Sequence, residues 1–107
     1  MYNKTILLKD TTIGAEDKTR DFYTLFLNSL RESNLHEEVQ VVRAADIGVY
    51  NHGLVIKILP GGVLYQNVKE SDIQRIIDST IKKGKALEDL LLKKEPVFGM
   101  FSEIESK

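Results

Sequence analysis

The chain contains no cysteine. That single absence excludes disulfides, thiolate metal centres and thiol redox chemistry together. Tryptophan is missing as well, and aromatics are only 7% of the 107 residues. Neither sign of charge dominates. Fifteen basic residues balance 16 acidic ones, for a net charge of −1. Nothing in that balance argues for nucleic acid or an anionic lipid surface as a partner. No apolar run approaches the roughly 20 residues that span a bilayer. Met1, Tyr2, Asn3 and Lys4 lead straight into a strand-like run, without the apolar stretch of a secretory signal. A cytoplasmic location is therefore expected.

What is present fits one globular domain over residues 1–107, with about 96–107 as a tail. Hydrophobic residues make up 42% and charged residues 29%, the ordinary proportions of a folded domain. Thr5-Ile6-Leu7-Leu8 reads as a buried strand, and Lys9 to Ala15 as a loop around Gly14. From about Glu16 to Ser33 the period becomes helical, with Phe22, Leu25, Phe26 and Leu30 on one stripe. Asn34 suits a left-handed position after the last turn, with Leu35 folding back. Val39 to Arg43 alternates as a second strand. Ala44 to Gly53 loses all periodicity. Leu54 to Leu59 is the strongest strand, rich in β-branched residues. Pro60-Gly61-Gly62 turns the chain into Val63-Leu64-Tyr65. Glycines between two strands serve that turn, so no phosphate cradle is expected there. A second helix is predicted over about 70–83, stopped by Gly84, and Leu87, Leu90 and Leu91 suggest a further short turn.

The predicted order is β-α-β-β-β-α. A helix joins the first two strands, which should be parallel, and a tight turn makes the last two antiparallel. A four-stranded mixed sheet with two main helices in an α/β chain is a thioredoxin-like arrangement.

Four segments carry a more specific resemblance. Leu59-Pro60-Gly61-Gly62-Val63-Leu64-Tyr65 forms a hairpin motif. Val68 to Ile77 opens the second helix, and Lys83-Gly84-Lys85-Ala86-Leu87-Glu88-Asp89-Leu90 leaves it. Glu95-Pro96-Val97-Phe98-Gly99-Met100-Phe101 closes the chain. In order and spacing these resemble the thioredoxin-like [2Fe-2S] ferredoxins. Those proteins occur as stand-alone homodimers and are related to domains of the NADH-oxidising subunits of complex I and of hydrogenases. The resemblance implies a homodimer, and an oxidoreductase subunit as a partner. It also places the family's four cysteine positions at Lys9 and Gly14 after the first strand, and at Asp46 and Tyr50 before the hairpin. Iron–sulfur clusters are held by thiolates, with imidazole replacing at most two of them in known variants. The chain has only His36 and His52. A relative that has lost its cluster, with no cofactor, is the reading this implies.

Lys9, Asp46, Tyr50 and His52 are then candidates for a ligand or partner surface, or for residues that refill the vacated space. Refilling is the expectation, with the Tyr50 ring packed where the cluster would sit. Truncating such a ring would cost about 3–5 kcal/mol. His52 lacks a second histidine nearby and is expected to be polar surface rather than a ligand or base, as is His36. Phe98 and Phe101 give the tail an apolar character suited to its own domain, a dimer seam or another subunit. No nucleophile has an adjacent base, and no carboxylates pair at a recognisable spacing, so no enzyme is expected. A non-redox interaction module is favoured over a small-ligand protein reusing the vacated pocket.

Overall fold

The apolar run at residues 5–8 becomes the centre of a strand, β1, over Lys4–Asp10. The computed structural model describes residues 2–92, so Phe98 and Phe101 lie outside the described residues. Lys9 and Asp10 belong to β1 and not to the loop that their polarity suggests. Their backbone pairs with Val55 and Leu54, and ladder hydrogen bonding decides strand length irrespective of side-chain polarity. The remaining strands are β2 (Val39–Arg43), β3 (Leu54–Leu59) and β4 (Val63–Tyr65). They form one sheet in the order β2-β1-β3-β4. β1 and β2 run parallel, while β1–β3 and β3–β4 are antiparallel. The mixed sheet is as predicted.

Alternation puts Ile6, Leu8, Val39, Val41, Ile56 and Ile58 in one buried cluster with Phe26, Leu30, Ile73, Ile76 and Ile77 from the helices. Full burial of each large side chain contributes roughly 1.5–3 kcal/mol. The first helix, α1 (Thr19–Glu32), packs on β1 and β2 and against the second helix. It starts three residues later than the periodicity suggests. Asp17 is the reason: its Oδ1 accepts the Thr19 N–H at 2.8 Å and the Thr19 hydroxyl at 2.6 Å, while Oδ2 takes Lys9 Nζ at 2.7 Å. Those bonds hold residues 16–18 against the end of β1. At the far end Asn34 has φ of 58° and the Leu35 N–H reaches Leu30 O at 2.8 Å. This is the left-handed stop with fold-back.

The second helix, α2 (Glu70–Ile76), opens with the Asp72 carboxylate accepting the Lys69 backbone N–H at 3.0 Å. It widens into a π-helical stretch, Ile77–Ile81, and ends at Gly84, whose φ is +69°. Sequence periodicity reads this region as one uniform helix. The widened turn buries Thr80 beside Ile76, Ile77 and Ile81. It sets the Thr80 hydroxyl 2.6 Å from that of fully buried Tyr65, which also accepts the Leu87 N–H at 2.8 Å. The Tyr65 hydroxyl is thus paired inside the core, as burial demands. The short turn predicted near Leu90 is a 3-10 turn, Glu88–Leu90. Beyond it Leu91 bridges Tyr65, and the Leu92 N–H donates to Leu64 O at 2.9 Å.

Candidate functional site

Two loops meet where β1 and β2 end and β3 begins. One runs over 11–18 and the other over 44–53. Thr11, between them, is 7% exposed. Its N–H and its hydroxyl both donate to Gly53 O at 2.8 Å. Its Oγ1 accepts the His52 N–H at 2.8 Å, and its carbonyl accepts the Asn51 N–H at 2.7 Å. Asn51 Oδ1 adds a contact to the Ile13 N–H at 3.4 Å. Gly53 is required by a close approach. It has φ of +65°, and a Cβ there would sit 2.6 Å from Asn67 Oδ1 and 3.2 Å from Asn67 Cα. The Asn67 N–H in turn donates to His52 O at 2.8 Å. The loops are closed by backbone–backbone and side chain–backbone hydrogen bonds together. Thr11 is the residue that sequence reasoning missed. Its only sequence signal is a small polar side chain directly after a strand.

The carboxylates here are tied to their own loops. Partial burial pushes Asp10 up. Hydrogen bonds from the Lys18 N–H at 2.9 Å and the Thr12 N–H at 3.0 Å outweigh this and hold its pKa below the usual value. The bond from Lys9, aided by those from Thr19, lowers Asp17 to about 2. Asp46 accepts the Gly48 N–H at 2.8 Å and the Tyr50 hydroxyl at 3.2 Å. Its carboxylate raises the Tyr50 pKa, because the phenol is held by a neighbouring anion.

The four positions singled out from the sequence therefore split into local pairings. Lys9 pairs with Asp17, and Tyr50 with Asp46. Among the described residues, no hydrogen bond or ion pair joins Lys9 or Gly14 to Asp46 or Tyr50. Gly14 sits at φ +80° with open space around it. The expectation that the Tyr50 ring fills a vacated core is corrected: Tyr50 is 65% exposed. The cause is physical. Thr11, Asn51 and Gly53 draw the loops together by hydrogen bonding, and the short Asp46-to-Gly48 turn directs Tyr50 back onto its own carboxylate. His52 enters through its backbone, with its N–H on Thr11 and its carbonyl on Asn67.

Two concavities flank these loops. A cavity of about 340 Å³ is lined by Lys9, Asp17, Thr19, Arg20, Arg43, Ala44 and Ala45. Asp46, Tyr50 and His52 do not line it. The second, an apolar groove of about 710 Å³, is lined in part by Ile47, Val49, Val63, Leu64, Leu91 and Leu92. Among the described residues there is no group of three or more His, Cys, Asp or Glu able to hold a metal ion. None of the helices there is long and apolar enough to cross a membrane.

No family model matches the chain. A curated protein, "Ferredoxin, 2Fe-2S" from Clostridium pasteurianum, is 31% identical over 65 residues, which is 61% of this chain and 64% of that protein. The alignment thus spans just under two thirds of the relative. Among solved structures, the wild-type thioredoxin-like [2Fe-2S] ferredoxin from Aquifex aeolicus matches with a TM-score of 0.73 at 20% identity, covering 88% of this chain and 100% of that one. A second structure of a thioredoxin-like [2Fe-2S] ferredoxin from Aquifex aeolicus gives 0.72 at 21% identity, covering 94% and 100%. The sheet order and helices described above are thus a thioredoxin-like fold. The residues present do not fit the cluster in those names. The chain has no thiolate to offer, and an ammonium already paired to Asp17, a glycine, an Asp–Tyr pair and backbone-anchored His52 do not assemble a ligand set.

Proposed function

We propose that this cysteine-free chain, which has the fold of the thioredoxin-like [2Fe-2S] ferredoxins it resembles, acts as a non-redox protein-interaction or regulatory module. It works as a homodimer or in complex with an oxidoreductase subunit. The observation that carries the reading is the placement of exposed apolar side chains. Tyr2, Ile13 and Tyr50 are the exposed large hydrophobics among the described residues, and Ile13 (69%) and Tyr50 (65%) stand on the two loops at the former cluster end. Hydrogen bonding between Ile13 and Asn51 holds those loops side by side. Ile47 and Val49, on the Tyr50 loop, line the apolar groove. Single exposed hydrophobics are ordinary, but apolar groups gathered at one end beside a groove suit a protein interface. The polypeptide retains the frame of an electron carrier and offers a contact surface in place of redox chemistry.

Size-exclusion chromatography with light scattering, and co-purification with an oxidoreductase subunit from native extract, test this. The expected result is a defined complex that Ile13→Asp with Tyr50→Asp abolishes, while circular dichroism keeps the parent signal. A complex indifferent to both substitutions, or a monomer that captures no such subunit, defeats the reading.

A further inference from the structure

The cavity at the carboxyl ends of β1 and β2 gathers cations. Lys9, Arg20 and Arg43 line it, with Asp17 as its one carboxylate. Lys9 and Asp17 neutralise each other at 2.7 Å. Arg20 and Arg43 have no ion-pair partner among the described residues. Arg75 shows the other arrangement, held by Asp72 at 2.8 Å and Asp89 at 3.0 Å. The Arg43 guanidinium lies 5.1 Å from the centroid of the Tyr23 ring, which limits its freedom before any ligand arrives. Arg20 and Arg43 both line this open concavity, and with the third cation already paired they leave a net charge of about +2 to be met. A phosphate dianion, with charge of roughly −1.5 to −2 at neutral pH, has that charge and the oxygen geometry that guanidinium forks match.

We propose that this cavity binds a phosphate group, free or as the monoester of a small molecule, between Arg20 and Arg43. The small side chains of Ala44 and Ala45 leave room for it, and the Lys9–Asp17 pair also lines the cavity. The site is independent of the exposed Ile13 and Tyr50, so it can fail without touching the interaction reading.

The test is a titration followed by amide chemical shifts, using the full chain with inorganic phosphate in one arm and glycerol phosphate in the other. Sodium chloride at matched ionic strength serves as the control. Saturable shifts at Thr19, Arg20, Ala44 and Ala45, weakened roughly tenfold in Arg20→Gln and in Arg43→Gln, are expected. The spectrum of each variant also shows that it remains folded. Tighter binding of the ester assigns the site to a phosphorylated metabolite, and equal binding to phosphate itself. Shifts spread over surface lysines, shifts reproduced by chloride, or affinities unchanged in both variants overturn the proposal.

Discussion

Two polar clusters hold this molecule together in different ways. Around Tyr65, a hydroxyl network sits inside the apolar core, where the ring, Thr80 and the Leu87 N–H satisfy one another. Around Thr11, the network lies between two surface loops and combines side chain–backbone with backbone–backbone bonds. The first cluster lies inside the core of the thioredoxin-like fold. The second occupies the end of the sheet to which the family resemblance assigns the cluster ligands. The contrast teaches that the frame stands on its own core, and that loop closure at the other end needs only a threonine, an asparagine and a glycine.

That contrast can be broken most sharply at Tyr65. Tyr65→Ala should cost about 3–5 kcal/mol, read as a fall in thermal midpoint of roughly 4–8 °C per kcal/mol. Tyr65→Phe, which leaves the Leu87 N–H without its acceptor while the Thr80 hydroxyl keeps its bond to Lys85 O at 3.0 Å, should cost about 1–3 kcal/mol. At the loop end Gly53→Ala meets Asn67 at its backbone and a strained φ, and should cost about 1–3 kcal/mol in denaturant unfolding. Thr11→Val removes the hydroxyl bonds to Gly53 and His52, and should cost a similar amount, about 1–3 kcal/mol. Amide exchange should quicken first in residues 11–18 and 44–53, leaving β3 protected.

Asp17 gives a smaller, pH-resolved effect. Its folded pKa of about 2 lies below the ordinary carboxylate value. Its contribution is therefore fully present above about pH 4 and is lost as pH falls toward 2. The group is mostly exposed, with 56% side-chain exposure, so solvent screening keeps the contribution within about 1 kcal/mol. Asp17→Asn should remove that amount at pH 7 and flatten the stability profile between pH 4 and 2. Smallest of all is Tyr50→Ala, expected within about 0.5 kcal/mol of the parent because the ring is exposed. A large loss there would restore the buried-ring picture.

The frame was legible from residues alone wherever one physical rule dominated. The β-branched run 54–59, the glycine turn at 61–62 and the stop at Asn34 each followed from local sterics. Phe26 and Leu30 followed from helical spacing. Where two rules competed, the sequence was silent. Lys9 and Asp10 look like loop residues until ladder pairing extends β1 over them. The π-helical stretch at 77–81 leaves no mark in periodicity, because its isoleucines satisfy either winding. Tyr50 invited burial by its size, yet its local partner Asp46 and the long-range Thr11 closure decided otherwise. The cationic cavity was equally hidden, since Arg20 and Arg43 are 23 residues apart and belong to different elements, α1 and β2.

The thioredoxin-like frame stands here on its own packing, with no thiolate to hold a cluster. Anaerobic incubation of the purified chain with ferrous iron and sulfide, followed by desalting, metal analysis and a melting curve, tests it directly. No retained iron or sulfide, no visible absorption and an unchanged midpoint are expected. Iron and sulfide retained at one cluster per chain, with colour and a raised midpoint, would contradict it.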